Sequence, residues 1–157
     1  MSRKPPHENK PNAEAFSESL ARIEQARKTG TTKLDLSGLG LTELPELLSQ
    51  LMQLQRLDLH SNDLTALPES LGQLTQLQVL LLFDNKLTAL PKWLGQLTQL
   101  QTLNFHNNQL TALPQSLGYL MQLQQLVLSF NQLTGIPESL GQLTQLQNLN
   151  LHNLHYS

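Results

Sequence analysis

The sequence predicts an α/β solenoid: stacked, near-identical turns of chain behind a single N-terminal helix. Three observations predict it. Leu54, Leu77, Leu100, Leu123 and Leu146 recur at a constant spacing of 23 residues, the mark of a repeat architecture. Each turn carries leucines at alternate positions, then an asparagine, then a proline six residues later. No single turn can bury its own leucines, so the turns must stack into one continuous core.

The chain begins with MSRKPPHENKPN. Residues 1–12 are polar and proline-rich, and are expected to form a disordered tail. Residues 13–30 are expected to form a capping helix. Asn12 or Ser17 can cap its start and Gly30 its end. Phe16, Leu20 and Ile23 fall on one face at helical spacing. Glu14 and Glu18 lie near the start, and Arg27 and Lys28 near the end, as the helix dipole prefers. This apolar face is small for a membrane or partner helix and suits a lid over the first repeat.

Residues 31–157 form the repeat domain, with five full units and one truncated. The unit TTKLDLSGLGLTELPELLSQLMQ comes first. It is followed by LQRLDLHSNDLTALPESLGQLTQ, LQVLLLFDNKLTALPKWLGQLTQ, LQTLNFHNNQLTALPQSLGYLMQ and LQQLVLSFNQLTGIPESLGQLTQ, and by the short LQNLNLHNLHYS. Within a unit, Leu57 and Leu59 point the same way from a short strand. Their equivalents lie at 80/82, 103/105, 126/128 and 149/151. Asn62, Asn85, Asn108 and Asn131 follow each strand. Stacked amides there can serve turn backbone groups in neighbouring units. Pro68, Pro91, Pro114 and Pro137 bar a following central strand. Leu71, Leu74 and their equivalents return inward from the far side. The ends depart from this frame: Leu39 replaces the asparagine in the first unit and Leu154 in the last.

The pattern LxxLxLxxNxL, with the tail LTxLPxxLGQL, resembles the leucine-rich repeat family in its typical 23-residue subclass. The resemblance implies a curved, right-handed superhelix. Its concave face would be a parallel sheet, and its convex face short helical or irregular segments. The entry ARKTGTTKLDLSGLGLTELP is similar to that of many bacterial leucine-rich repeat proteins, including Roco proteins, in which a GTPase module follows. No GxxxxGK[ST] loop occurs in this chain, so the similarity covers the scaffold and not the GTPase.

In this frame three columns of side chains face outward from the strands. The first is Lys33, Arg56, Val79, Thr102, Gln125 and Asn148. The second is Asp35, Asp58, Leu81, Asn104, Val127 and Asn150. The third is Ser37, His60, Phe83, His106, Ser129 and His152. Gly38, Ser61, Asp84, Asn107, Phe130 and Asn153 come next in each unit. The run VLLLF at 79–83 breaks the expected alternation. Leu80 and Leu82 belong to the frame, whereas Val79, Leu81 and Phe83 are outward and apolar without any demand from it. Val127 and Phe130 add apolar surface two strands away, and adjacent strands lie ~4.8 Å apart. A patch of this kind, rimmed by polar groups, marks an interaction site. The candidate partner-binding residues are Arg56, Asp58, His60, Val79, Leu81, Phe83, Asp84, Asn104, His106, Val127 and Phe130.

Metal and catalytic readings are weaker. His60, His106 and His152 share one column, but alternate strands lie ~9.6 Å apart and Zn–N bonds measure ~2.0–2.1 Å. Asp58, His60 and Ser61 imitate a hydrolase triad. Side chains two apart on a strand stand about 7 Å apart, too far for a nucleophile and its base. No catalytic, metal or cofactor residue is assigned. Trp93 stands where Ser70, Ser116 and Ser139 stand in other units. It is expected to be partly exposed on the convex flank, either lying over neighbours or serving as a second contact. Tyr119 reads the same way.

The 157 residues carry a net charge of −2, which argues against nucleic acid and anionic membrane as partners. There is no cysteine, the start MSRKPPHENKPN lacks the apolar run expected of a secretory signal, and no stretch is apolar enough to span a membrane. The expectation is a soluble, cytoplasmic protein. A secreted effector without a cleavable signal is the alternative. The leading function is a non-catalytic protein–protein interaction module offering a rigid concave surface to an unknown protein partner. The alternatives are an adaptor or effector fragment of a larger signalling protein, and a self-associating scaffold. From Trp93 onward Glu138 is the only charged residue. The final unit lacks the LTxLPxxLGQL return segment, so its strand, around residues 148–152, is expected to be a sheet edge with little charge to repel a second copy. Either Leu154 and Tyr156 fold back as a lid, or two such ends pair as a homodimer.

Overall fold

The computed structural model describes residues 13–153. The expected tail at 1–12, the Asn12 cap and the Leu154–Tyr156 lid lie outside them. Helix α1, Ala13–Thr29, is followed by six short strands: β1 Lys33–Asp35, β2 Arg56–Asp58, β3 Val79–Leu81, β4 Thr102–Asn104, β5 Gln125–Val127 and β6 Asn148–Asn150. They form one parallel sheet in sequence order. The register repeats the 23-residue frame without a slip, so Leu34, Leu57, Leu80, Leu103, Leu126 and Leu149 lie side by side. A five-residue 3₁₀ helix returns the chain along the far side of each full unit, and a proline in extended conformation precedes every one. Proline has no N–H for a ladder and its φ is preset, so the strand cannot continue there.

The core runs the length of the stack. Leu57, Leu59, Leu80, Leu82, Leu103, Phe105, Leu126 and Leu128 are all buried. Burying a leucine or phenylalanine side chain stabilises by roughly 1.5–3 kcal/mol. The asparagines join the turns. Asn85 Oδ1 accepts the Leu64 N–H at 3.0 Å, while its Nδ2 donates to Leu59 O at 2.9 Å and Leu82 O at 3.2 Å. Asn62, Asn108 and Asn131 make the equivalent bonds. Each amide thus serves backbone groups of two adjacent units, which explains why it can be buried.

Helix α1 packs on β1 and on the first 3₁₀ helix. It ends at Gly30, whose φ is 63° and whose N–H bonds to Ala26 O at 3.0 Å. Its buried face differs from the expected one. Ala15, Ser19, Ile23 and Ala26 are buried, while Phe16 and Leu20 are only half-buried. Small residues let the helix backbone come close to the first repeat, and that close approach leaves the larger side chains at the margin. Ser19 is satisfied locally, donating to Phe16 O at 2.7 Å. Ser17 lies within the helix rather than at its cap.

Trp93 is the second departure. It is 9% exposed rather than lying out on the flank. The space comes from the preceding unit: a Cβ added to Gly72 would stand 3.5 Å from Trp93 Cβ and Cε3. The indole occupies the gap over that glycine, so a serine site accepts a much larger group. Tyr119 stays exposed.

A candidate protein-binding face

The three columns project from the sheet as the frame requires. Leu80 and Leu82 are buried, whereas Val79, Leu81 and Phe83 are half-buried on the concave side. Leu81, Asn104 and Val127 stand side by side in the sheet register. Phe130 is 45% exposed.

The aromatic rings do not merge into one patch. Phe83 turns back onto the preceding unit and stacks on His60, with centroids 4.3 Å apart and planes at 10°. Phe130 stands edge-on between His106, at 5.1 Å, and His152, at 6.2 Å. The result is two histidine–phenylalanine clusters separated by Asn104 and bridged near the rim, where Asn107 Nδ2 donates to Asp84 Oδ1 at 2.8 Å. Edge and stacked aromatic pairs contribute about 0.5–1.5 kcal/mol beyond burial, so both clusters are preformed surface.

Asp58 corrects a distance argument. Its Oδ1 lies 2.6 Å from His60 Nδ1 and also accepts the His60 N–H at 3.2 Å. The 7 Å separation holds inside an extended strand, but β2 ends at Asp58 and the chain bends there, so residues two apart meet. Arg56 Nη2 stands 3.9 Å from Asp58 Oδ2. Ser61 does not join them: it is exposed, at φ 54°, and forms no hydrogen bond to His60. Among the described residues no three His, Asp or Glu side chains are grouped to hold a metal ion.

The same bend recurs along the face. Side-chain Oδ1 atoms of Asp35, Asn104 and Asn150 accept the N–H two residues on, at 2.8, 2.9 and 3.0 Å. The Ser37 hydroxyl and N–H hold the Asp35 carboxyl below its usual range. Each bend then reaches a left-handed residue: Gly38, Ser61, Asp84, Asn107, Phe130 and Asn153 have φ between 52° and 66°. Glycine, asparagine, aspartate and serine tolerate that region through small size or local hydrogen bonds. Phenylalanine does neither, and a bulky residue there is an outlier. The sequence reading placed Phe130 in the right row without seeing this. It set Ser129 outward in the third column beside His106, whereas Ser129 is only 3% exposed, its Oγ 2.8 Å from His106 Nδ1. Their shared column, 23 residues apart, was the available signal for that contact.

Fold, register and asparagine ladder together define a leucine-rich repeat solenoid. The comparisons agree. Three family models match in succession: "Leucine Rich Repeat" at 53–74, "Leucine Rich repeats (2 copies)" at 75–118 and "Leucine rich repeat" at 98–154. The chain belongs to the leucine-rich repeat family. Among solved structures it is similar to a leucine-rich repeat protein of Leptospira interrogans, with 39% identity and TM-score 0.69, covering 80% of this chain and 38% of that one. It is also similar to the ectodomain of the plant membrane receptor kinase GASSHO1/SCHENGEN3 from Arabidopsis thaliana in complex with CASPARIAN STRIP INTEGRITY FACTOR 2. That match has 37% identity and TM-score 0.72, covering 82% and 16%. A third is the functional domain of InlJ from Listeria monocytogenes, with 28% identity and TM-score 0.75, covering 89% and 32%. The chain thus spans well under half the length of these relatives. None of the curated proteins compared matches it. No helix among the described residues is long and apolar enough to cross a membrane.

Proposed function

We propose that this chain is a non-catalytic protein-binding module and that its partner docks on the concave face across the two histidine–phenylalanine clusters. Phe130 carries the reading. The repeat frame imposes a left-handed turn at this position, strain of that kind costs of order 1–3 kcal/mol and clusters at ligand clamps, and here the strained residue is a large aromatic group 45% exposed to solvent. Val79, Leu81, Phe83 and Val127 supply the surrounding apolar contact, with Arg56, Asp58, His60, Asp84, Asn104 and His106 as its polar rim. The hydrogen-bonded sheet holds these groups in place before binding, which lowers the ordering cost of association. The similar ectodomain in complex with CASPARIAN STRIP INTEGRITY FACTOR 2 is consistent with this use of the scaffold.

The test separates binding from folding. Phe130→Asn replaces the strained residue with one that tolerates positive φ, so its melting temperature should equal or exceed the wild type's. Leu81→Glu combined with Phe83→Asp should leave the circular dichroism spectrum unchanged, since neither side chain belongs to the core. Both variants should lose the proteins that the wild-type chain captures from its native lysate, read by quantitative mass spectrometry. Unchanged capture by both variants overturns the reading.

A further inference from the structure

On the convex side, two adjacent units depart together from the pattern of the others. The third 3₁₀ helix, Lys92–Gln96, packs beside the fourth, Gln115–Tyr119. The first residue of this turn is Glu46, Glu69 and Glu138 in the other three full units, but Lys92 and Gln115 here. Its last residue is Gln50, Gln73, Gln96 and Gln142, but Tyr119 in the fourth unit. Acid thus gives way to a cation and an amide, and one amide to a ring. These residues share one groove. Gly95 lets the two turns meet closely, because a Cβ there would collide with Ser116 O. Around that contact lies an open groove of about 520 Å³, bordered by Lys92 and Gln96 of one unit and by Pro114, Gln115 and Tyr119 of the next. Ligand pockets occupy roughly 300–1,000 Å³. Tyr119 is 66% exposed, and Lys92, Gln96 and Gln115 are exposed too. Lys86 is held by Asp63 at 2.7 Å, whereas Lys92 has no ion pair among the described residues. No acidic side chain borders the groove.

We propose that this groove is a second protein-binding site, on the opposite side of the solenoid from the concave face, and that it takes a short peptide segment carrying a carboxylate beside an apolar side chain. Three features select that occupant. The carboxylate meets Lys92, whose charge no acid within the groove neutralises, so the charges are complementary. The apolar side chain lies against the Tyr119 ring and Pro114; a tyrosine offers a large rigid contact area together with a polar tip. Between them, the amides of Gln96 and Gln115 each donate and accept, as the main-chain N–H and C=O groups of a peptide require. A basic segment is repelled by Lys92, and a wholly apolar one leaves a cation and two amides without partners. The scaffold itself asks for none of these residues, since the same turn positions hold Glu and Gln in other units and the side chains at 92, 115 and 119 lie outside the core.

The test selects phage-displayed random dodecapeptides on the chain carrying Leu81→Glu and Phe83→Asp, so that the concave face does not contribute. The enriched peptides should share an Asp or Glu within a few residues of a Leu, Phe or Trp. Adding Lys92→Glu and Tyr119→Gln to the same chain supplies residues that other units carry at these positions, so its melting temperature should stay that of the parent. Its affinity for the selected peptides, synthesised and read by fluorescence polarisation, should fall at least tenfold. With Lys92→Glu alone, a peptide whose acidic residue is replaced by Lys should bind more tightly than the original peptide. A selection that enriches no peptide, or peptides without an acidic residue, overturns the proposal. So does an affinity that survives the double change, or a charge-reversed pair that gains nothing. None of these outcomes bears on the concave site, which is tested by its own variants.

Discussion

On the concave side, the five junctions between strands share one spacing and one register, because backbone hydrogen bonds set them. On the convex side the junctions differ. A Cβ added to Gly118 would stand 2.6 Å from Ser139 Cβ and 2.7 Å from Ser139 O, and Gly95 is pressed against Ser116 in the same way. Gly72 faces Trp93 instead, with its nearest neighbours at 3.4 Å or more. The same 23-residue frame therefore yields tight and loose convex junctions, according to which side chain the next unit offers. Strand spacing is a property of the main chain, whereas convex spacing is a property of single residues.

The largest test of this contrast is Trp93→Ala. Removing a buried indole should destabilise by about 3–5 kcal/mol in urea unfolding. A loss below about 1 kcal/mol would mean that the junction closes freely around the gap. Next comes the strand side. Leu103→Ala should cost about 2–5 kcal/mol through lost burial and a cavity, whereas Thr102→Ala beside it, facing out, should cost under about 1 kcal/mol. Equal losses would contradict the alternation. Gly118→Ala drives a methyl group into the Ser139 backbone and should cost about 1–3 kcal/mol, visible as a lower thermal midpoint. The smallest effect belongs to Gly72→Ala, which meets only ordinary contacts. It should lie within about 1 kcal/mol of wild type, offset in part by reduced freedom of the unfolded chain. If Gly72→Ala and Gly118→Ala cost the same, the convex junctions are equivalent after all.

The repeat frame was readable because its rules are local. Leucine at alternate positions, asparagine after the strand and proline before the return each act within a few residues, and their 23-residue recurrence fixes the register between units. The outward direction of Val79, Leu81 and Phe83 follows from that register alone. What escaped the sequence depends on how closely neighbours approach. Helix α1 looked anchored by Phe16, Leu20 and Ile23, but its small face at Ala15, Ser19 and Ala26 allows the closer packing. Trp93 looked exposed because nothing local shows that Gly72, 21 residues earlier in the chain, leaves room above itself.

The candidate face divides along the same line. Its residues were legible as three columns, and their chemistry as apolar groups with a polar rim. The pairing of His60 with Phe83, and of Phe130 with His106 and His152, was not. Nor was the Asp58–His60 contact, which exists because the strand ends at Asp58 and the backbone bends.

By itself, then, the sequence determined the 23-residue register, the inward direction of the frame leucines in each strand, and the ladder that joins the turns. All three follow from periodicity, which any one repeat states and the others confirm. The tertiary structure decided which rings touch, which glycine admits a tryptophan, how near the helix lies, and that Phe130 sits in a left-handed turn. Each of these depends on distances of a few ångströms between residues far apart in the chain, where packing of neighbouring units overrides what either unit prefers alone.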